Sequence, residues 1–333
     1  MSALLQPQPR LIEAAEPPEY RGVARDEVRL LATDRATRTH SHASFRDLPS
    51  LLRPGDVLVV NDSATLPAAL HAQRPTGETL LLHVATKIDR RVWMAEPRAT
   101  VSAGEELQLA AGGSAVMLAP VEPGHPRLWY AWFQLPDPMT EYLQRHGEPI
   151  RYGYVTKRFP LTDYQTIFAR EPGSAEMPSA ARPFTERVLN ALHERGLQIA
   201  AITLHCGVAS FETPELPGTE RFTVPPETAD VVNRARREGR RIIAVGSTAL
   251  RALESAVHDG TIVASSGWTD LVMSADYRVR TADALITGFH DAAATHQWIL
   301  QAFLDRDLLA SAYDAAAQRR YYQHEFGDIH LIL

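Results

Sequence analysis

The sequence predicts an α/β protein that also carries a small all-β domain, and three observations carry that expectation. The chain has 333 residues, beyond the size at which a single hydrophobic core usually stops growing. Residues 67–151 carry short apolar runs punctuated by Gly and Pro, whereas everything after Phe184 alternates helical and strand patterns. Hydrophobic residues make up 45% and charged residues 22% of the chain, ordinary globular usage that supplies a large core and argues against disorder.

Taken in order, residues 1–24 are rich in Pro, Glu and Gln and read as a loosely ordered N-terminal arm. A small all-β domain is expected over 67–151, between main-domain α/β stretches at 25–66 and 152–333. A small helix at Asp47–Leu52 and the Pro54-Gly55 turn lead into a buried strand at Val57–Val60. Inside the insert, strands are expected at Thr79–Ala85, Arg91–Ala95, Glu106–Ala110, Ala115–Ala119 and Leu128–Leu135, a regular spacing that closes into a barrel or sandwich. Pro138–Gly147 has helical spacing. After Phe184 the pattern predicts helix Thr185–Arg195, strand Gln198–Leu204, helix Pro226–Glu238, strand Arg241–Val245 and helix Thr248–His258. Gly196 and Gly239 supply helix stops. Strand Ala284–Thr287, helices near Ala293–Asp305 and Leu308–Arg319, and a closing strand at His330–Leu333 complete the chain.

Charge and composition exclude several functions. A net charge of -6 and a pI near 6.1 do not suit a protein that grips nucleic acid by bulk electrostatics, so any RNA contact must be local. The single cysteine, Cys206, forbids an intrachain disulfide and points to a reducing compartment. With no basic-then-apolar leader and no bilayer-length run, a cytoplasmic location and no membrane partner are expected. None of the 13 histidines falls in HExxH spacing, and His40 and His42 have no third partner in view, so no metal is expected. Gly246 lacks the companion glycines of a dinucleotide fingerprint and the Gly-Lys of a P-loop, and no tightly bound cofactor is expected.

Open α/β sheets bind ligands beyond the carboxyl ends of their strands. Three such ends are polar and contain glycine: Leu204–Phe211, Val245–Thr248 and Ile286–His290. If their strands are parallel neighbours, all three converge on one crevice. Plain alternatives stand beside each. Ser247 or Thr248 can be an ordinary helix N-cap, His205 and His290 can be core histidines, and Arg251 with Glu254, three apart on a helix, can be a surface ion pair. The basic run Arg234–Arg241 reads as a solvated helix end whose cations suit the helix dipole.

These segments also carry a resemblance. Ile202–Phe211 (ITLHCGVASF), Arg241–Ser255 (RIIAVGSTALRALES), Asp283–His290 (DALITGFH) and Leu52–Asn61 (LRPGDVLVVN) resemble successive signature blocks of the S-adenosylmethionine:tRNA ribosyltransferase-isomerase family, in order and spacing. The likeness runs along nearly the whole chain after residue 28 and includes Tyr164–Thr166, Glu171–Gly173 and the tail Tyr313–Gly327. It implies an α/β main domain with an inserted barrel. The implied reaction carries the ribosyl carbons of S-adenosylmethionine, as co-substrate, onto 7-aminomethyl-7-deazaguanine in tRNA, giving epoxyqueuosine, adenine and methionine. Such a site must hold a cation, exclude water and place a base beside one carbon. By match to the blocks, His205 and His290 are the catalytic acid–base candidates. Asn61, Ser179, Gly207, Ser210, Phe211, Gly246, Ser247, Thr248, Arg251 and Phe289 are substrate-binding candidates, with Glu254 orienting Arg251 or offsetting the sulfonium charge.

The chain departs from the family pattern at several places. Pro183 stands where the family has histidine and Ala181 where it has glycine. Asp62-Ser63-Ala64 replaces Asn-Thr-Arg, and Ala69 takes the place of a second arginine. Gly288 replaces an asparagine, and Asp291-Ala292 a Leu-Pro. Two further readings therefore stay open: a paralogue that uses S-adenosylmethionine with a small-molecule acceptor or cleaves it without tRNA, and a non-catalytic binder of an adenine nucleoside.

Overall fold

The structure, a computed structural model, describes residues 9–122, 125–208, 218–291, 294 and 296–333, with backbone alone at 125 and 126. Its frame is a nine-stranded sheet in the order Ser265–Thr269, Glu220–Val224, Gln198–Leu204, Val57–Asn61, Ile242–Val245, Ala284–Gly288, Ile329–Ile332, Arg29–Asp34 and Thr39–Ser44. The strands from Gln198–Leu204 through Ala284–Gly288 are mutually parallel. Val57–Asn61 and Ile242–Val245 are buried throughout, as near-continuous apolar runs must be when layers cover both faces.

Alternation along the strands sorts the core. Val57, Val59, Ile202 and Leu204 pack with Val232, Ala235, Ala249 and Leu253 of helices Pro226–Arg237 and Gly246–Ser255. Leu58, Val60, Ile243 and Val245 face Phe45, Phe184, Val188 and Leu192 on the other side. Further along the same face as Val57 and Val59, Leu31, Ala244 and Leu285 pack with Leu300, Leu309 and Tyr313. The chain lays down Val57–Asn61 first, then Gln198–Leu204 on one flank and Ile242–Val245 on the other. The order of strands reverses there, which opens a crevice at their carboxyl ends.

The barrel is closed from six strands, in the order Ser114–Glu122, His125–Gln134, Val92–Pro97, Thr79–Lys87, Ala69–Gln73 and Glu106–Gln108. Leu82, Trp93, Met117 and Phe133 fill it, and Tyr142 and Leu143 of helix Met139–His146 join that core. Its entry and exit are clasped: Ala69 N donates to Glu148 O and Glu148 N to Ala69 O, each at 2.9 Å. The α/β sheet and an all-β stretch are what the periodicities predicted, and the inserted barrel is what the family resemblance implied.

Local differences have local causes. Helix Gly246–Ser255 starts and stops earlier than its apolar pattern suggested, because Asp259 and Gly260, both at positive φ, turn a hairpin between Val257–His258 and Thr261–Ile262. The strands Glu220–Val224 and Ser265–Thr269 went unread because they are short and half polar. Within the segment expected to be a loose arm, Ile12–Glu13 pairs in parallel with Tyr322–Gln323, and Leu11 and Ala14 are buried. Among the described residues, no helix is long and apolar enough to cross a membrane.

Candidate active site

A cavity of about 190 Å³ opens at the carboxyl ends of the parallel strands. Strand-end loops contribute Cys206–Val208, Gly246–Thr248, Thr287, Gly288 and His290, and the approach to Ser179 contributes Ala175–Pro178. The barrel supplies Thr86, Met94, Arg127 and Leu128, and the C-terminal tail supplies His324 and Glu325. Its position follows from topology, and its walls come from four distant parts of the chain.

Gly246 makes the turn from strand to helix at φ +88°, and a Cβ there would sit 3.4 Å from the Ala180 side chain. Helix Gly246–Ser255 has no side-chain cap. Neither Ser247 nor Thr248 acts as one, and Thr248 Oγ1 is buried with no hydrogen-bond partner among the described residues. The N–H groups of the first turn therefore have no side-chain cap, at a helix end that favours negative charge. Gly207 lets the barrel close in, since a Cβ would lie 3.3 Å from Thr86 Oγ1. Its N–H donates to Glu220 Oε1 at 2.8 Å.

His290 stands in the cleft with Nε2 3.2 Å from Thr287 Oγ1 and its ring stacked on His296 at 4.2 Å. Its carbonyl accepts from Gln297 Nε2 at 3.0 Å and from Tyr313 OH at 3.1 Å. Burial, then the neighbouring His296 and His324, push its pKa well below 6.5. Burial, then Arg251, brings His296 down to about 4. Both imidazoles are neutral at pH 7, the form that accepts a proton.

Other sequence candidates are placed elsewhere. His205 turns away from the cavity: Nδ1 lies 2.8 Å from Ser63 Oγ, which is 2.6 Å from Ser174 Oγ, which in turn accepts from Cys206 N at 2.9 Å. The ring packs against Gly173, where a Cβ would come within 2.4 Å of Nδ1. Burial and then Arg221 lower its pKa. Asn61 is fully buried and clips two strand ends together, donating to Leu204 O at 2.8 Å and accepting from Leu204 N at 2.9 Å and Ser63 N at 3.1 Å. Phe289 is a core residue stacked on His330 at 5.4 Å. Ser210 and Phe211 lie outside the described residues.

Arg251 and Glu254 do not pair with each other. Arg251 lines the cavity but spends its donors on Glu220, on Leu271 O at 3.0 Å and on Thr269 O at 3.4 Å. Glu254 faces the other way, accepting from Arg280 N, Thr281 N, Thr281 Oγ1, Tyr277 OH and Arg280 Nε at 2.7–3.0 Å. Of the basic run, Arg241 is tied to Asp56 at 2.5 Å.

Sequence reasoning missed Tyr152, Glu176, His296, His324 and Glu325, all of which line the cavity. No periodicity marks them; the alternation of Tyr152 and Tyr154 in a glycine-containing segment is the one local signal. Among the described residues, no group of His, Cys, Asp and Glu could hold a metal ion.

An open sheet of parallel central strands with a cleft at its strand-order reversal, an uncapped helix start and neutral, half-buried histidines is the architecture of the α/β proteins that bind small ligands at their strand ends. Comparison with known proteins sharpens this. A family profile described as "Queuosine biosynthesis protein" matches residues 8–332, and the chain belongs to that family. It is 37% identical over 322 residues to the S-adenosylmethionine:tRNA ribosyltransferase-isomerase of Moorella thermoacetica, covering 93% of this chain and 94% of that one. The protein of the same name from Thermus thermophilus is 36% identical over 311 residues, 88% of each chain. The crystal structure of S-adenosylmethionine tRNA ribosyltransferase from Thermotoga maritima superposes with a TM-score of 0.57 at 28% identity, covering 98% of this chain and 99% of that one.

Proposed function

We propose that this chain transfers and isomerises the ribosyl part of S-adenosylmethionine onto 7-aminomethyl-7-deazaguanine in tRNA, giving epoxyqueuosine, adenine and methionine. The observation that carries the reading is the meeting of three glycine-bearing strand ends, at 206–208, 246–248 and 287–290, in one cleft under the barrel. The family match over residues 8–332 and relatives named for this reaction support it. S-adenosylmethionine is a co-substrate, and the chemistry calls for no tightly bound cofactor. The relatives' names favour tRNA over a small-molecule acceptor. A tRNA substrate also suits a cytoplasmic location, and with a net charge of -6 the contact is local.

Within this reading the start of helix Gly246–Ser255 and Thr248 receive the polar end of the donor. Neutral His290 is the acid–base group, since it alone of the two candidate histidines faces the cavity. His205 acts as a positioning residue that holds the 205–208 loop through Ser63 and Ser174. The test is to incubate pure protein with S-adenosylmethionine, with and without tRNA bearing the aminomethyl-deazaguanine base, and follow adenine and methionine by chromatography. Release that requires the tRNA is expected. Release without tRNA would point to the small-molecule or cleavage reading, and no release in either mixture would overturn catalysis altogether.

A further inference from the structure

One wall of the cleft has no task in the reading above. Tyr152, Glu176, His324 and Glu325 line it, brought together from the segment after the barrel, the approach to Ser179, and the tail. Tyr152 donates its hydroxyl to Glu176, and Tyr154 donates to Glu325. The rings of Tyr152, Tyr154 and His324 form a near-parallel row, with centroids 6.3 Å apart at 19° and then 4.3 Å apart at 15°. Each carboxyl is therefore held by a phenol that is itself fixed by stacking.

Glu220 and Glu254 are each paired with an arginine, Arg251 and Arg280. Glu325 makes no ion pair with Lys or Arg among the described residues, and burial raises its pKa although the Tyr154 bond, its own backbone and the charge of Arg182 oppose the rise. Burial and the adjoining carboxyls lift both tyrosine pKa values well above 10, so the phenols remain donors. A pair of oriented acceptors beside aromatic rings, at one edge of an enclosed cleft, is suited to a cation that cannot itself donate a hydrogen bond.

We propose that this acid–phenol wall, Glu325 held by Tyr154 and Glu176 held by Tyr152, is the subsite for the sulfonium centre of S-adenosylmethionine and sets selectivity for the cationic donor over its neutral thioether. The inference rests on the reading of the chain as S-adenosylmethionine-dependent. A sulfonium has no N–H or O–H to offer, so recognition must come from fixed negative charge and ring faces rather than hydrogen bonding. Carboxyls locked by phenols meet that need without reorganising when the cation arrives. The uncapped helix start at Gly246–Thr248 in the same cleft supplies the opposite pole for the donor's carboxylate. Donor orientation then follows from charge alone.

The test is calorimetric binding of S-adenosylmethionine and of S-adenosylhomocysteine, which lacks the sulfonium charge, to the full chain and to Glu325→Gln, Glu176→Gln and Tyr154→Phe. The unmodified protein is expected to bind the sulfonium compound at least about tenfold more tightly. A carboxylate about 5 Å from a cation, in a medium of effective dielectric about 20, gives an effect of that order or larger. Glu325→Gln should weaken S-adenosylmethionine about tenfold while moving S-adenosylhomocysteine less than about threefold. Retained thioether binding reports that the variant is folded, and Glu176→Gln and Tyr154→Phe repeat the test independently. Equal loss of both ligands in the glutamine variants, or no preference in the unmodified protein, overturns the proposal while leaving the donor reading intact. Failure of the unmodified protein to bind either ligand overturns that reading itself, and this inference with it.

Discussion

Replacing Glu254 with glutamine separates a structural hub from a ligand contact. The carboxylate is 2% exposed and accepts two bonds from backbone N–H groups, of Arg280 and Thr281, and three from side chains, Thr281 Oγ1, Tyr277 OH and Arg280 Nε. Glutamine can keep its oxygen on the Arg280 N and Thr281 side. Its amide nitrogen then faces Tyr277, whose hydroxyl can turn to accept, and Arg280 Nε, which cannot. One charge-assisted bond is lost and two donors confront each other, a cost of about 2–3 kcal/mol. The lost charge adds little, because the Arg280 side chain is 52% exposed and screened by water. Alanine, which strands two buried backbone donors, should cost about 3–5 kcal/mol. Urea unfolding at pH 7 reads both, and S-adenosylmethionine affinity should change less than about twofold. The sign with pH is also defined. Burial raises the Glu254 pKa, but the bonds from Tyr277, Thr281 and Arg280 outweigh it and leave the net value below the ordinary 4.5. Its contribution is therefore complete above that value and disappears as pH falls through the folded pKa, and the glutamine variant should lack this component. A stability change under about 1 kcal/mol accompanied by weakened donor binding would refute the assignment.

Three further outcomes follow from the same geometry. His330 is fully buried with its pKa lowered to about 3 by burial and then by His40. Stability should hold above pH 6.5 and decline from there toward 3, by up to about 1.4 kcal/mol per pH unit for this group, and His330→Gln should show a shallower slope in urea titrations from pH 6 to 4. Gly147→Ala would place a Cβ 1.9 Å from the Pro67 carbonyl oxygen, at the clasp of the barrel. A loss of about 1–3 kcal/mol or more is expected, and a thermal midpoint unchanged within a degree would contradict it. His205→Ala should lower stability by about 1–2 kcal/mol through loss of the Ser63 bond with donor affinity nearly unchanged; unaltered stability with adenine release abolished would put His205 back into the chemistry.

Much of the frame was legible because burial on both faces writes itself into composition. Val57–Asn61, Gln198–Leu204 and Ile242–Val245 read as strands, and the Gly-punctuated runs of 67–151 read as an all-β domain, since few other residues satisfy those packing demands. The strand-end rule then located Gly207, Gly246, Ser247, Thr248 and His290 at one cleft. It failed for side chains whose direction depends on neighbours. His205 follows Leu204 at the correct edge, yet Gly173 and Ser63 draw its ring away. Arg251 and Glu254 have the spacing of an ion pair, yet Glu220 and Arg280, distant in sequence, outcompete it.

Sequence by itself determined the layer architecture and the edge of the sheet where the cleft opens, because periodicity and turn chemistry are local properties of the chain, while the ordered signature blocks carried the family and the barrel insertion. Only the tertiary structure decided which polar groups line that cleft. The acid–phenol wall joins Tyr152, Tyr154, Glu176 and Glu325, residues far apart in the chain whose association leaves no periodic trace. Burial, pKa and partner choice are properties of an environment, and that environment exists only once the barrel and the C-terminal tail have closed over the sheet.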